Sequence, residues 1–92
     1  MGRKISSLRS LGLTPREAEI LLWISEGKTN YEVALIVGAK AGTVRKHVEH
    51  ILSKLSVENR TAAAAIAFTV ISQTADFFQR PVRLGLKPLS GL

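Results

Sequence analysis

KAGTVRKHVEHILSKL, residues 40–55, is the stretch that decides the fold. Wound as an α-helix at about 100° per residue, it separates apolar from polar side chains on opposite faces. The apolar stripe comprises Val44, Val48, Ile51, Leu52 and Leu55. The opposite face carries Thr43, Lys46, Glu49, His50 and Ser53, with Arg45 at the border. The stretch therefore predicts a helix that packs on a core with one face and presents long polar side chains with the other.

The charge of the whole chain indicates what such a polar face binds. The 92 residues contain 13 Lys and Arg against 7 Asp and Glu, a net charge of +6. This excess favours a polyanionic partner, with nucleic acid ahead of an anionic membrane surface. A helix with long donors on its outer face, inside a small basic domain, fits the DNA major groove.

Composition also bounds the compartment and the class of protein. The chain has no Cys, so disulfides and thiolate metal sites are excluded, and a cytoplasmic location is expected. The most apolar window, residues 61–72, is well short of the ~20 residues that a membrane span needs. The sequence shows no Gly-rich phosphate loop, no nucleophile elbow and no acid/base pair, so we expect no enzyme and no cofactor.

Two capping boxes locate the helices before residue 40. Thr14, Pro15 and Glu17 supply an N-cap, a first-turn proline and an N3 acid, which predicts a helix to about residue 26 followed by Gly27. Thr29 and Glu32 repeat the pattern and open a short helix that Gly38 ends. A short helix, a tight Gly-containing turn and a longer helix make a helix-turn-helix unit over about residues 30–55.

The two ends of the chain give weaker signals. Asn59 can cap a fourth helix from residue 60 into the high seventies. Pro81 should stop this helix, so we assign residues 80–92 as an irregular tail and residues 1–12 as a linker. The predicted fold is an all-α bundle of four helices, residues 13–79, with an extended fourth helix.

With these helices placed, the chain resembles the LuxR-type helix-turn-helix domain, also called the GerE-like or NarL/FixJ-type domain. The resemblance covers about residues 13–67 and depends on several separated signatures in order. They are Leu13-Thr14-Pro15-Arg16-Glu17, Glu26-Gly27 with Thr29-Asn30, Thr43-Val44 with His47, and Leu55 through Asn59-Arg60-Thr61. It implies a four-helix DNA-binding output domain of a bacterial transcription regulator. In that family the domain is usually fused to a sensor module, and it often dimerises through the fourth helix.

The resemblance also implies roles for individual residues. Base edges in double-stranded DNA would be read by Arg45, Lys46 and Glu49. The phosphate backbone would lie near Asn30, Tyr31, Lys40, Thr43, His47, His50 and Lys54. An interface on the fourth helix, with a second copy in a homodimer or with the chain's own tail, would involve Ala63, Ile66, Ala67, Val70, Ile71, Phe77 and Phe78.

Several residues leave alternatives open. Arg45 and Glu49 could simply form an i, i+4 surface pair, and the spacing of His47 and His50 would suit a metal, although no third ligand is evident. Leu22, Leu35 and Ile36 are apolar where the family is usually polar. We expect the fourth helix or the tail leucines (Leu84, Leu86, Leu89) to cover them, in the same chain or in a dimer mate. The alternative function is a protein-interaction module on the same bundle, with DNA binding lost.

Overall fold

In the computed structural model, the described backbone covers residues 2–86 and the described side chains residues 2–73. Within this range the chain forms helices and no strands, which confirms the all-α prediction. The five helices are α1 (Gly2–Arg9), α2 (Pro15–Ser25), α3 (Asn30–Val37), α4 (Ala41–Leu55) and α5 (Arg60–Leu86). Helices α3 and α4 form the helix-turn-helix unit that the sequence predicts.

The N-termini of three helices are held by the side chains that the sequence singles out. Glu17 N donates to Thr14 Oγ1 over 3.1 Å, and Thr14 N donates to Glu17 Oε1 over 2.9 Å. The same reciprocal pair of bonds joins Thr29 and Glu32 at the start of α3. At the start of α5, Asn59 Oδ1 accepts from the backbone N–H of residue 62 over 2.8 Å. These bonds satisfy amide groups that have no partner within the helix.

The helices before and within the helix-turn-helix unit end in left-handed turns. Gly27 has φ +87° and Gly38 has φ +74°. Beyond Gly27, Lys28 N donates to the Trp23 carbonyl over 3.0 Å, and Gly27 N donates to the Ile24 carbonyl over 3.0 Å. This is the Schellman arrangement, and glycine adopts the backbone conformation without a Cβ penalty. The two glycines thus set the sharp turns on either side of α3.

The core forms where the apolar faces of all five helices meet. Its buried apolar residues are Leu8, Leu13, Ala18, Ile20, Leu21, Leu22, Ile24, Val33, Ala34, Val44, Val48, Ile51, Ala63 and Ala67. As predicted for α4, Val44, Val48 and Ile51 are buried, whereas Leu52 and Leu55 are half-buried and pack on the edge of this core. Burial of this stripe leaves the opposite face of α4 directed outward.

The linker assignment for residues 1–12 is wrong. Residues 2–9 form α1, which packs on α2 and α5, and its Leu8 is fully buried. Ile5 and Leu11 pack against the same core from either side of Leu8. Apolar residues three apart place one stripe on α1, and burying that stripe stabilises a helix too short to persist alone. Residues 2–86 therefore contain five helices, whereas the sequence predicted four.

The end predicted for the last helix is also wrong. Helix α5 continues through Pro81 to Leu86, so part of the predicted 80–92 tail is helical. A proline inside a helix removes one backbone hydrogen bond and costs about 3 kcal/mol, but it does not forbid the helix. The remainder of the predicted tail, residues 87–92, lies outside the described residues.

No helix in the described part of the chain is both long enough and apolar enough to cross a membrane.

Candidate nucleic-acid interface

The outer face of α4 is open to solvent. Arg45, Lys46 and Glu49, the three predicted base-reading residues, are all exposed. They line one shallow concavity of about 480 Å³ together with Lys40, Gly42 and Thr43. Neither Arg45 nor Glu49 takes part in an ion pair within the described residues, so the alternative Arg45–Glu49 surface pair is not formed. Two cations and one carboxylate are thus available to a partner on a single face.

The residues predicted to lie near phosphates surround this face unequally. Lys40, Thr43 and His50 are exposed, whereas His47 is half-buried. Tyr31, in the first turn of α3, is 67 % exposed. Lys40 is the N-cap residue of α4 and makes no side-chain capping bond there. Its ammonium is therefore not used in holding the helix start.

Asn30 is tied to the first residue of α5. Arg60 Nη1 donates to Asn30 Oδ1 over 2.6 Å, and Arg60 Nη2 donates to the Lys28 carbonyl over 2.6 Å. All three residues are half-buried. A planar guanidinium that makes two bonds in this way fixes the relative position of its partners. The start of α3 is therefore locked to the start of α5.

Lys54 is used inside the domain. Its Nζ lies 2.8 Å from Glu17 Oε1, the same oxygen that closes the capping box of α2. Burial raises the pKa of the Glu17 carboxyl, but hydrogen bonds from Lys54 and the Thr14 backbone outweigh this and lower the pKa below 4.5. The Lys54 side chain is 40 % exposed and that of Glu17 only 6 %. Any phosphate contact of Lys54 would compete with this internal partner.

A similar effect operates at the start of α3. The Thr29 backbone N–H donates to Glu32 Oε1 over 2.8 Å and lowers the pKa of the Glu32 carboxyl. Glu32 is exposed, so solvent screens its charge. Its role in the structure is to cap α3.

Apolar side chains remain exposed on α3, the first helix of the helix-turn-helix unit. Leu35 is 66 % and Ile36 44 % exposed among the described residues. Leu22, in contrast, is buried in the core of the same chain. The described part of α5 in the same chain leaves Leu35 and Ile36 open, so cover by this part of the chain is excluded, whereas cover by a dimer mate stays a prediction. The tail leucines proposed as a cover lie outside the described side chains.

The predicted dimer face of the last helix needs correction. Ala63 and Ala67 are 1 % and 0 % exposed and belong to the chain's own core, so they cannot contact a second copy. Ile66, Val70 and Ile71 are half-buried. Phe68, which the sequence analysis did not select, is 66 % exposed. Phe77 and Phe78 lie outside the described side chains.

Metal binding receives no support from the described residues. No group of three or more His, Asp or Glu side chains in that range is arranged to hold an ion. His47 and His50 therefore remain two side chains on α4 without a third ligand.

Two long-range contacts between side chains were missed by reasoning from the sequence. Arg60 contacts a residue 30 positions away, and Lys54 contacts one 37 positions away. The separation leaves no local spacing signal, so periodicity could not pair them. Their trace in the sequence is that Glu17, Asn30 and Arg60 fall within the signatures that carry the family resemblance.

Comparison with known proteins agrees with this geometry. The family model for bacterial regulatory proteins, luxR family, matches residues 11–67. The quorum sensing-dependent transcriptional regulator RpaR of Rhodopseudomonas palustris is 44 % identical over 63 residues, 68 % of this chain and 26 % of its own. The transcriptional regulatory protein LiaR of Bacillus subtilis is 45 % identical over 74 residues, 72 % of this chain and 35 % of its own. The response regulator VraR of Staphylococcus aureus is 50 % identical over 56 residues, 61 % of this chain and 27 % of its own.

The chain thus spans 26–35 % of the length of these curated relatives. Their names describe regulators of transcription or response regulators, not enzymes. No solved structure matches this chain.

Proposed function

The chain belongs to the luxR family of bacterial regulatory proteins, and on that premise we propose that it binds double-stranded DNA sequence-specifically as the output domain of a transcription regulator. Helix α4 enters the major groove with its outer face toward the base edges. Arg45 and Lys46 donate to guanine O6 and N7, and phosphate contacts beside them fix the register. The regulator acts in the cytoplasm, where its DNA target lies.

Glu49 has a distinct role in this proposal. A carboxylate among phosphates is repelled by every DNA sequence unless a cytosine N4 amine lies opposite to donate to it. Glu49 lines the same concavity as Arg45 and has no ion-pair partner among the described residues. It would therefore act mainly by excluding wrong sites.

The single observation that carries the proposal is the concavity on α4. Arg45, Lys46 and Glu49 line it together, and all three side chains are exposed rather than packed into the core of the chain. The other face of the same helix is buried through Val44 and Ile51. A helix anchored on one side and bare on the other meets the steric requirement for insertion into a groove about 12 Å wide.

A duplex titration at several salt concentrations tests the proposal. Each phosphate that the protein neutralises releases counterions, so log K should fall against log salt with a slope of about −0.9 per contact. We expect steep loss of affinity as salt rises, and tighter binding to the operator than to random duplex. Absence of duplex binding at low ionic strength would refute the proposal.

Dimerisation through α5 completes the proposed mechanism. Two copies would place their α4 helices in major-groove half-sites about one helical turn apart. Phe68, exposed on α5, supports such an interface, with half-buried Ile71 beside it. Phe68→Ser should raise the dimer dissociation constant at least tenfold in sedimentation equilibrium, with Thr69→Ser, on the same exposed part of α5, as the matched control. An unchanged constant would place the interface elsewhere.

Two exposed apolar residues favour a second candidate function. Leu35 and Ile36 on α3 would suit a helical protein-interaction module that no longer binds DNA. Binding by such an apolar surface should be nearly indifferent to salt, so the same titration distinguishes the two functions.

The input to the domain is the last part of the proposal. The named relatives are much longer than the region they share with this chain. We therefore propose that a sensor module controls this DNA-binding unit.

A further inference from the structure

Arg60 connects the start of α5 to the start of α3. It is the first residue of α5, and its guanidinium reaches back to the turn between α2 and α3. There Nη1 bonds to Asn30 Oδ1 and Nη2 to the Lys28 carbonyl, both over 2.6 Å. Because the guanidinium is rigid and planar, the two bonds together hold it in one orientation.

This contact decides which end of the Asn30 amide is available to a partner. A guanidinium can only donate hydrogen bonds, so the amide atom that faces Arg60 must be the carbonyl oxygen. The NH₂ group is then left on the other side of the amide carbon. Among the described residues, the Asn30 side chain makes no second hydrogen bond. The first turn of α3 therefore carries an oriented and uncommitted donor.

We propose that Arg60 is a positioning residue for DNA binding. It does not touch the duplex; it holds Asn30 so that the amide NH₂ donates to a phosphate oxygen beside α3. This role rests on the proposed function, since it concerns the same DNA-binding surface. It also connects α5, which carries the proposed dimer interface, to a phosphate contact on α3.

The alternative is that Arg60 neutralises a phosphate directly, and salt dependence separates the two roles. Removing a cation that contacts phosphate should reduce the salt slope by about one unit. Removing a neutral amide donor releases no counterion, so the affinity should fall with the slope unchanged. If Arg60 acts through Asn30, its loss should resemble the loss of the amide.

A double-mutant cycle on the 92-residue chain measures this directly. The four proteins are the wild type, Asn30→Ala, Arg60→Ala and the double variant, titrated with one fluorescent duplex at several salt concentrations. Each single change should raise the Kd roughly tenfold, as expected for one hydrogen bond to a charged group. The double variant should be no weaker than either single variant, and all four slopes should agree.

Two outcomes of this mutant cycle would overturn the proposal. A salt slope reduced by about one unit in Arg60→Ala would show that the guanidinium itself contacts phosphate. Single effects that multiply in the double variant would show that the two residues act independently. Failure of the wild type to bind duplex at low salt would instead refute the proposed function, so the two failures are distinguishable.

A second variant guards against simple unfolding. Asn30→Asp keeps an oxygen for Arg60 to bind, so the melting temperature should be retained, but it removes the NH₂ donor and adds a negative charge. Its Kd should therefore rise more than that of Asn30→Ala. A folded Asn30→Asp protein with wild-type affinity would contradict the proposal. Arg9→Ala, which removes an exposed cation from α1, is the control for a general change of charge.

Discussion

Replacing Lys54 with methionine should destabilise the domain far more than replacing an exposed cation of the same helix. The ammonium of Lys54 lies 2.8 Å from a carboxylate oxygen of Glu17, whose side chain is only 6 % exposed. Without it, the carboxylate keeps only its hydrogen bonding with Thr14, whose backbone N–H donates to Glu17 Oε1 over 2.9 Å. Methionine preserves the length of the side chain and its helix propensity, so the change isolates the lost charge.

The expected cost follows from the exposure of the two partners. Breaking a fully buried pair costs about 3–5 kcal/mol, whereas an exposed pair contributes about 0–1 kcal/mol. Glu17 resembles the first case, but the Lys54 side chain is 40 % exposed and its charge is partly screened. We therefore expect Lys54→Met to lower the free energy of unfolding by about 2 kcal/mol at neutral pH. For a domain of this size this corresponds to a melting temperature lower by about 10 °C.

The loss should depend on pH in a definite direction. The folded-state pKa of Glu17 is lowered below 4.5, so its stabilising contribution is complete above that pH. The contribution is lost as the pH falls through the folded-state pKa, because the protonated carboxyl no longer attracts Lys54. In Lys54→Met, burial of the carboxyl is no longer opposed by a cation. The stability difference between wild type and variant should therefore shrink in acid.

Urea unfolding at pH 7 and below pH 4 measures both effects. Arg45→Met is the matched control, since Arg45 is an exposed cation on α4 without an ion-pair partner in the described region. It should change the free energy of unfolding by no more than about 0.5 kcal/mol. The reasoning would be refuted if Lys54→Met cost no more than this control. A cost that stayed constant on acidification would refute the assignment to the Glu17 pair.

Three further predictions concern the core, the start of α4 and base reading. Leu8→Ala should lower the free energy of unfolding by about 2–5 kcal/mol in thermal or urea unfolding, because Leu8 is fully buried. The neighbouring Arg9→Ala should be almost neutral, and equal effects of the two changes would contradict the packing of α1. Gly42→Ala should raise the free energy of unfolding by about 0.5–1 kcal/mol, since an added Cβ meets no atom within 4 Å; destabilisation would show an unseen constraint. Arg45→Ala should cost about 1–3 kcal/mol of operator affinity and relax preference at one base pair, measured on a panel of single-substituted duplexes. Equal weakening on operator and random duplex would contradict its role as a reader.

The sequence predicts this fold best where the signal is local. The capping boxes of Thr14 and Thr29 and the left-handed turn at Gly38 depend on residues within four positions of one another. These helix ends can therefore be predicted directly from the order of residues in the sequence. The buried stripe of α4 is equally local, because the helical repeat alone separates Val44 from Lys46.

The errors concern segments whose state depends on distant neighbours. Residues 2–9 have a weak helical signal, and α1 is held by burial of Leu8 against α2 and α5. For Ala63 and Ala67, a small apolar stripe on α5 suits either a dimer interface or the chain's own core. The position of the other helices decides between an interface and a core, and the spacing of residues along α5 does not reveal that position.

The candidate site was predicted with similar limits. That Arg45 and Glu49 face outward follows from helical periodicity and agrees with their exposure. The engagement of Lys54 by Glu17, and of Asn30 by Arg60, requires contacts across 37 and 30 residues. Such pairs depend on how the helices pack. Residue type alone therefore identified Lys54 and Asn30 as candidates for phosphate contact, but it did not reveal that both already have a partner within the chain.

The most direct test of the central claim is an NMR titration of the chain with duplex DNA at low salt. If the outer face of α4 contacts the duplex, backbone amide shifts should change most at Thr43, Arg45, Lys46 and Glu49, with few changes along the exposed part of α5. Changes confined to α5, or to Leu35 and Ile36 on α3, would contradict the account, as would a spectrum unaffected by excess duplex.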